Sequence, residues 1–204
     1  HNMDFDVDAL AGTTATTKDI CGTIGELNPV PLVSGYEGTW TSNAANFDDG
    51  TSAIPNYTAT SVKIANAKYK LTSSEATFTW SVTRTFKNDK GENETCTKPD
   101  AITIYDRTPS PSAESNLVTC DGTRVLSANV ADSEHEKGYW SKNTNDGVFD
   151  GIEGNVASTN EVTITDINPA TKITLQWNVQ STSEGLDNCT ASTDVVVTNY
   201  YYKP

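Results

Sequence analysis

The residues of this 204-residue chain most able to do chemistry are its four cysteines, Cys21, Cys96, Cys120 and Cys189. A thiol can ligate a metal, attack as a nucleophile or form a disulfide, and spacing separates these uses. No two of the four lie two to four residues apart as in a zinc knuckle, which disfavours zinc. Nucleophilic or acid–base catalysis needs a partner base. The chain has two histidines, and His135 sits in the polar stretch Asp132-Ser133-Glu134-His135-Glu136-Lys137, which reads as a solvated loop. Nucleophile elbow, zinc-protease helix, phosphate loop and dinucleotide fingerprint are all missing from the sequence. Glu134 and Glu136 could pair as glycosidase carboxylates only across a cleft, and their surroundings imply none. The chain therefore reads as a non-enzyme, and disulfide formation is the chemistry left to its cysteines, in an oxidising, secreted or cell-surface setting.

The remaining candidate groups are acidic. The formal net charge is −13 and the pI about 4.4, a field that repels phosphate backbones and argues against nucleic acid as a partner. Asp48 and Asp49, and Asn145, Asp146 and Asp150, are oxygen donors near turns and the candidate ligands for calcium, the one cofactor considered. The same Asn-Asp-Gly chemistry is ordinary in turns, and the DxDxDG loop with its distal Glu is absent. No apolar run reaches the 18 residues of a spanning helix, so direct membrane insertion is not expected. His1, Asn2 and Met3 read as a cloning remnant, and the chain as an excerpt of a longer protein.

What must position these groups is a repeat. Cys21, Trp40, Trp80 and Cys96 recur in order as Cys120, Trp140, Trp177 and Cys189, at offsets of 99, 100, 97 and 93 residues. Local texture agrees: Cys21-Gly22-Thr23 with Cys120-Asp121-Gly122-Thr123, Gly38-Thr39-Trp40 with Gly138-Tyr139-Trp140, and Phe78-Thr79-Trp80-Ser81-Val82 with Leu175-Gln176-Trp177-Asn178-Val179. The organisation expected is a module over residues 4–106, a Pro/Ser-rich linker over 107–115 and a second module over 116–204.

Each copy alternates apolar and polar residues with period two. Phe78, Trp80 and Val82 share one face of a strand from Thr77 to Phe86. Val162, Ile164 and Ile167, then Ile173, Leu175, Trp177 and Val179, read as a hairpin turning at Asn168-Pro169-Ala170-Thr171. Ile102 with Ile104, and Val195 with Val197, form closing strands. About seven strands per copy with almost no helix predict an all-β chain of two tandem immunoglobulin-like β-sandwiches. Trp40, Trp80, Trp140 and Trp177 are the expected core. Tyr36, Tyr139 and the Tyr200–Tyr202 cluster are the aromatic residues available to a ligand such as a surface polysaccharide.

Cys-x-Gly-Thr, Gly-x-Trp, Trp-x-Val and the closing run Asn188-Cys189-Thr190-Ala191-Ser192-Thr193-Asp194-Val195-Val196-Val197 resemble the PKD-like, immunoglobulin-like repeats of Bacteroidota surface proteins, nearest the repeat region of the gliding-motility adhesin. The resemblance runs from about Ala11 to Tyr200. It implies modules strung in arrays, with neighbouring modules of the same chain as partners, serving as a spacer or adhesive stalk in surface attachment or gliding. A carbohydrate-binding module is the alternative.

Two pairings of the cysteines remain in view. Cys21 with Cys96 and Cys120 with Cys189 would close each module on itself. If the first cysteine of a copy lies at the turn between its first strands and the second before its last strand, the two fall at opposite ends of a sandwich, too far apart to bond. Cys21 would then approach Cys189 instead.

Overall fold

The computed structural model describes residues 16–29 and 31–201, and every structural statement below concerns those residues. Residues 1–15, Val30 and 202–204, Tyr202 of the tyrosine cluster among them, lie outside the described residues. The chain divides into two compact units, the first ending at Asp106 and the second beginning at Arg107.

The first unit has nine strands: β1 (Thr17–Ile20), β2 (Ile24–Leu27), β3 (Glu37–Ser42), β4 (Ala45–Asp48), β5 (Tyr57–Ala59), β6 (Ser61–Val62), β7 (Ala67–Leu71), β8 (Glu75–Lys87) and β9 (Asn93–Asp106). They form a five-stranded sheet ordered β1-β9-β8-β3-β6 and a four-stranded sheet ordered β2-β7-β4-β5. The second unit has β10 (Leu117–Thr119), β11 (Arg124–Ser127), β12 (Glu136–Lys142), β13 (Val148–Phe149), β14 (Val156–Ala157), β15 (Glu161–Thr165), β16 (Lys172–Ser181) and β17 (Thr190–Asn199). Its sheets run β10-β17-β16-β12-β14 and β11-β15-β13. The count exceeds the seven per copy that turn spacing predicts because β5, β6, β13 and β14 are edge segments of two or three residues. Such fragments bury too few side chains to leave a periodic signal.

In each unit one pairing is parallel, β1 with β9 and β10 with β17, and every other strand pairing is antiparallel. Alternation explains the packing. On β7, Ala67, Tyr69 and Leu71 point inward while Lys68 and Lys70 face out; on β8, Ala76, Phe78 and Trp80 do the same. The two inner faces meet in one apolar core per unit.

One reading of the sequence is corrected. Val162–Ile164 and Ile173–Val179 do not make a hairpin: β15 pairs with β11 and β13, whereas β16 pairs with β12 and β17. The Asn168–Thr171 turn carries the chain from one sheet to the other, with Ala170 at φ 58°. Both segments are half-buried strands with an inward apolar face, a pattern common to hairpins and to sheet-crossing corners. Part of the segment 107–115 is hydrogen-bonded to the second unit. Ser112 N–H donates to Asn129 Oδ1 at 2.8 Å, Asn129 N–H to Ser112 O at 2.8 Å, and Asn129 Nδ2 to Ser110 O at 3.1 Å. Ala113 bridges to Ala128.

Candidate functional site: cysteines at the sandwich ends and the aromatic surface

The paired strands set the position of every cysteine. In the first unit Ile20 stands beside Asp106, so Cys21 follows one residue beyond the end of β9. The Gly22 N–H donates to the Asp106 carboxylate at 3.0 Å and holds that corner. Cys96 lies inside β9, opposite Arg84 on β8, ten residues back from Asp106. In the second unit Thr119 stands beside Asn199, with Cys120 next. Cys189 precedes β17 and its carbonyl accepts from Ser181 N–H at 2.8 Å, ten residues back from Asn199.

Ten strand residues span about 33 Å, against the ~4–7 Å between Cα atoms that a disulfide tolerates. The intramodule pairing, Cys21 with Cys96 and Cys120 with Cys189, is therefore excluded in both copies. Cys21 and Cys189 are disulfide-bonded, while Cys96 and Cys120 carry free, exposed thiols. The Cys189 sulfur is buried and also contacts the Arg107 carbonyl at 3.4 Å.

The tryptophans are placed by the same registers. Trp40 on β3 is the direct cross-strand partner of Trp80 on β8, and Trp140 on β12 that of Trp177 on β16. Ring centroids lie 4.8 Å and 5.3 Å apart in tilted geometry, and all four side chains are buried. Buried indoles need acceptors. Trp40 Nε1 donates to Ala65 O at 3.1 Å, Trp140 Nε1 to Asn160 O at 3.3 Å and Trp177 Nε1 to Asn129 Oδ1 at 3.1 Å. The Gly of each Gly-x-Trp has a role the sequence did not disclose. A Cβ on Gly38 would run into the Trp80 ring, and one on Gly138 into the Trp177 ring.

Three of the four carboxylates proposed for calcium, those of Asp48, Asp49 and Asp146, accept hydrogen bonds from the chain itself. Asp48 Oδ1 accepts from Gly50 N–H at 3.2 Å and Asn56 N–H at 3.0 Å. Asp49 accepts from Thr51 N–H and Oγ1–H and, through its other oxygen, from Asn56 Nδ2. Chiefly the Thr51 backbone bond holds its carboxyl below the usual carboxylate range. Asp146 accepts from Asn168 N–H at 2.8 Å and Thr171 Oγ1 at 2.9 Å, tying the sheet-crossing turn. Asp150 is on a separate turn after β13, where its N–H donates to Thr163 O at 2.8 Å. Among the described residues no three His, Cys, Asp or Glu side chains gather into a metal-binding group.

The aromatic surface is dispersed. Tyr36 is half-buried, with its hydroxyl accepting from Arg84 at 3.2 Å and the guanidinium 5.2 Å from its ring centroid. Tyr139 is half-buried on the other unit, and Tyr200 and Tyr201 are exposed after β17. An open polar hollow lined by Asp121, Asp166, Asn168, Pro169, Asn199 and Tyr201 lies beside Cys120 in the sequence. His135 stands 3.9 Å from the exposed Glu134 carboxylate.

These topologies define the class: an all-β chain of two immunoglobulin-like β-sandwich domains in tandem. No protein-family model matches the sequence, and no curated protein does. Solved structures with a similar fold include the first two immunoglobulin domains of DIP-gamma, at 9 % identity over 91 % of this chain and 94 % of that one, with a TM-score of 0.47. The amphioxus IgVJ-C2 molecule is similar at 10 % identity over 88 % and 99 %, TM-score 0.40. An I-band fragment of titin is similar at 11 % identity over 91 % and 62 %, TM-score 0.39. At these identities the likeness concerns the fold alone.

Proposed function

We propose that this chain is a non-catalytic pair of repeat modules from a secreted cell-surface protein, acting as stalk or spacer, or as an adhesive module, in surface attachment or gliding. The observation that carries this reading is that both copies bury their tryptophans as the same internal cross-strand pair, so that the exposed aromatic residues are dispersed tyrosines. A spacer needs a self-sufficient core in every copy, whereas a sugar platform needs two or three rings in one exposed plane. The disulfide supports an extracellular setting. Partners are neighbouring modules of the same chain.

The test is a glycan array probed with this chain beside its Tyr139→Ala variant. The expected result is no reproducible binding by either. Glycan binding that disappears in the variant would replace the spacer reading with a carbohydrate-binding module.

A further inference from the structure

Four Asp-Gly bonds occur in the chain, at Asp49-Gly50, Asp121-Gly122, Asp146-Gly147 and Asp150-Gly151. The pairing is chemically reactive. The carboxyl carbon of an aspartate lies within reach of the next residue's amide nitrogen, and a following glycine, lacking a Cβ, leaves that approach unobstructed. A five-membered imide closes only where the carboxyl can swing onto the nitrogen and the backbone can turn to meet it. By residue type the four bonds are equal, and the fold makes them different.

Three are tied down. The Asp49 carboxylate accepts from Thr51 N–H at 3.0 Å, Thr51 Oγ1 at 2.9 Å and Asn56 Nδ2 at 2.9 Å, and the Gly50 N–H donates to Asp48 Oδ1 at 3.2 Å. The Asp121 carboxylate accepts from Thr119 Oγ1 at 2.7 Å and Thr123 N–H at 2.9 Å, and Gly122 is buried where a Cβ would meet the Ile167 carbonyl. Asp146 accepts from Asn168 and Thr171, and Gly147 is buried against Ile164. Chiefly the Thr51 backbone bond and the Thr119 hydroxyl also hold the Asp49 and Asp121 carboxyls below the usual carboxylate range, away from the neutral acid that reacts.

Asp150-Gly151 has none of these restraints. The two residues form the middle of a turn that Ile152 N–H closes by donating to Phe149 O at 3.1 Å, and both are exposed. Among the described residues the Asp150 carboxylate accepts no hydrogen bond and joins no ion pair, and the Gly151 N–H donates to nothing. Gly151 has φ 68°, and a Cβ built on it would meet nothing within 4 Å, so its backbone has room to turn. The chain before it is anchored, with Phe149 buried and paired with Ile164 and the Asp150 N–H donating to Thr163 O.

We propose that Asp150-Gly151 is a self-modification site, at which the Asp150 side chain and the Gly151 amide close to a succinimide that reopens as isoaspartate. The Gly151 nitrogen attacks the carbon of the protonated Asp150 carboxyl, a C–N bond forms, and the carboxyl hydroxyl leaves with the amide proton as water. Water then adds back to either ring carbonyl. Opening at the side-chain carbonyl restores aspartate. Opening at the main-chain carbonyl leaves the chain running through Cγ, with one methylene more in its backbone. Nothing is oxidised or reduced, and the net mass is unchanged.

The test incubates the whole native chain at physiological temperature and mildly acidic pH, with a parallel sample in guanidinium chloride. Isoaspartate is located by peptide mapping with fragmentation that reads the altered backbone, and counted by enzymatic methyl transfer to isoaspartyl carboxylates. In the native chain it is expected at Asp150 in roughly tenfold or greater excess over Asp49, Asp121 and Asp146, the factor that two hydrogen bonds on a carboxylate supply. In denaturant the four positions should level. Asp150→Glu, which would have to close a slower six-membered ring, removes the signal at that position alone, and an unchanged unfolding midpoint shows its unit intact. The proposal is overturned by an even native distribution, by accumulation mainly at another of the four, or by the same preference for Asp150 in denaturant. It is equally overturned if the native chain forms none at Asp150 while the denatured chain does.

Discussion

At the scale of single residues, a tight constraint shared by both copies is the glycine beneath each late tryptophan. Gly38 and Gly138 have ordinary backbone geometry and are required for space, because the Trp80 and Trp177 rings lie where a side chain would begin. Gly38→Ala and Gly138→Ala are each expected to destabilise their own unit by about 1–3 kcal/mol through overpacking, read as a lower denaturant midpoint at unchanged slope. Ala170 has the opposite problem, a methyl group on a left-handed backbone, so Ala170→Gly is expected to stabilise the second unit by about 1 kcal/mol. Tyr69 supplies a pH dependence. Burial pushes its phenol up to about 12 from 10, so its contribution is complete below pH 10 and is lost as pH rises towards 12. The loss is roughly 3 kcal/mol at most. Tyr69→Phe should flatten the alkaline limb of the first unit's unfolding curve, and an unchanged limb would show that another group titrates there.

At the scale of elements, one side chain joins the leading segment of the second unit to its core. Asn129 accepts from both Trp177 Nε1 and Ser112 N–H and donates to Ser110 O. Asn129→Ala strips the buried indole of its acceptor, and a loss of about 1–3 kcal/mol is expected. Hydrogen exchange should accelerate at Ser112, which distinguishes this from a general weakening. The long β8–β9 hairpin behaves differently. Beyond Glu37, β3 no longer flanks it, and its tip is closed by Asn88 Oδ1 accepting from Lys90 and Glu92 N–H. Pro99 interrupts β9 where β1 does not reach, on an edge that tolerates a missing N–H. Asn88→Ala should speed exchange between Thr85 and Thr95 while moving the first unit's stability by no more than about 0.5 kcal/mol. The alternation of β8 and the closing strands was readable from sequence because each has one wet face. The hairpin drawn at Asn168–Thr171 was not, since pairing depends on which sheet a strand joins and the pattern is silent about that.

At the scale of the molecule, the chain holds two oxidised and two reduced cysteines. A thiol reagent should titrate two groups in the native protein, still two after denaturation and four after reduction. Four thiols before reduction would contradict the bonded state of Cys21 and Cys189. The net charge of −13 keeps such modules soluble and apart, so association between copies must come from specific contacts or covalent bonds.

From the sequence alone came the duplication, the all-β class, the apolar faces of the long strands and the exclusion of familiar catalytic motifs, because these follow from residue type and spacing along the chain. Tertiary structure decided which strands share a sheet, that the two tryptophans of each copy meet across one register, that Asp48, Asp49 and Asp146 accept hydrogen bonds from turn residues, and which cysteines bond. The physical reason lies in distance. Sequence separation says nothing of the ~33 Å that an extended strand puts between the two cysteines of a copy, and only the parallel pairing of β1 with β9 and of β10 with β17 reveals that they stand at opposite ends.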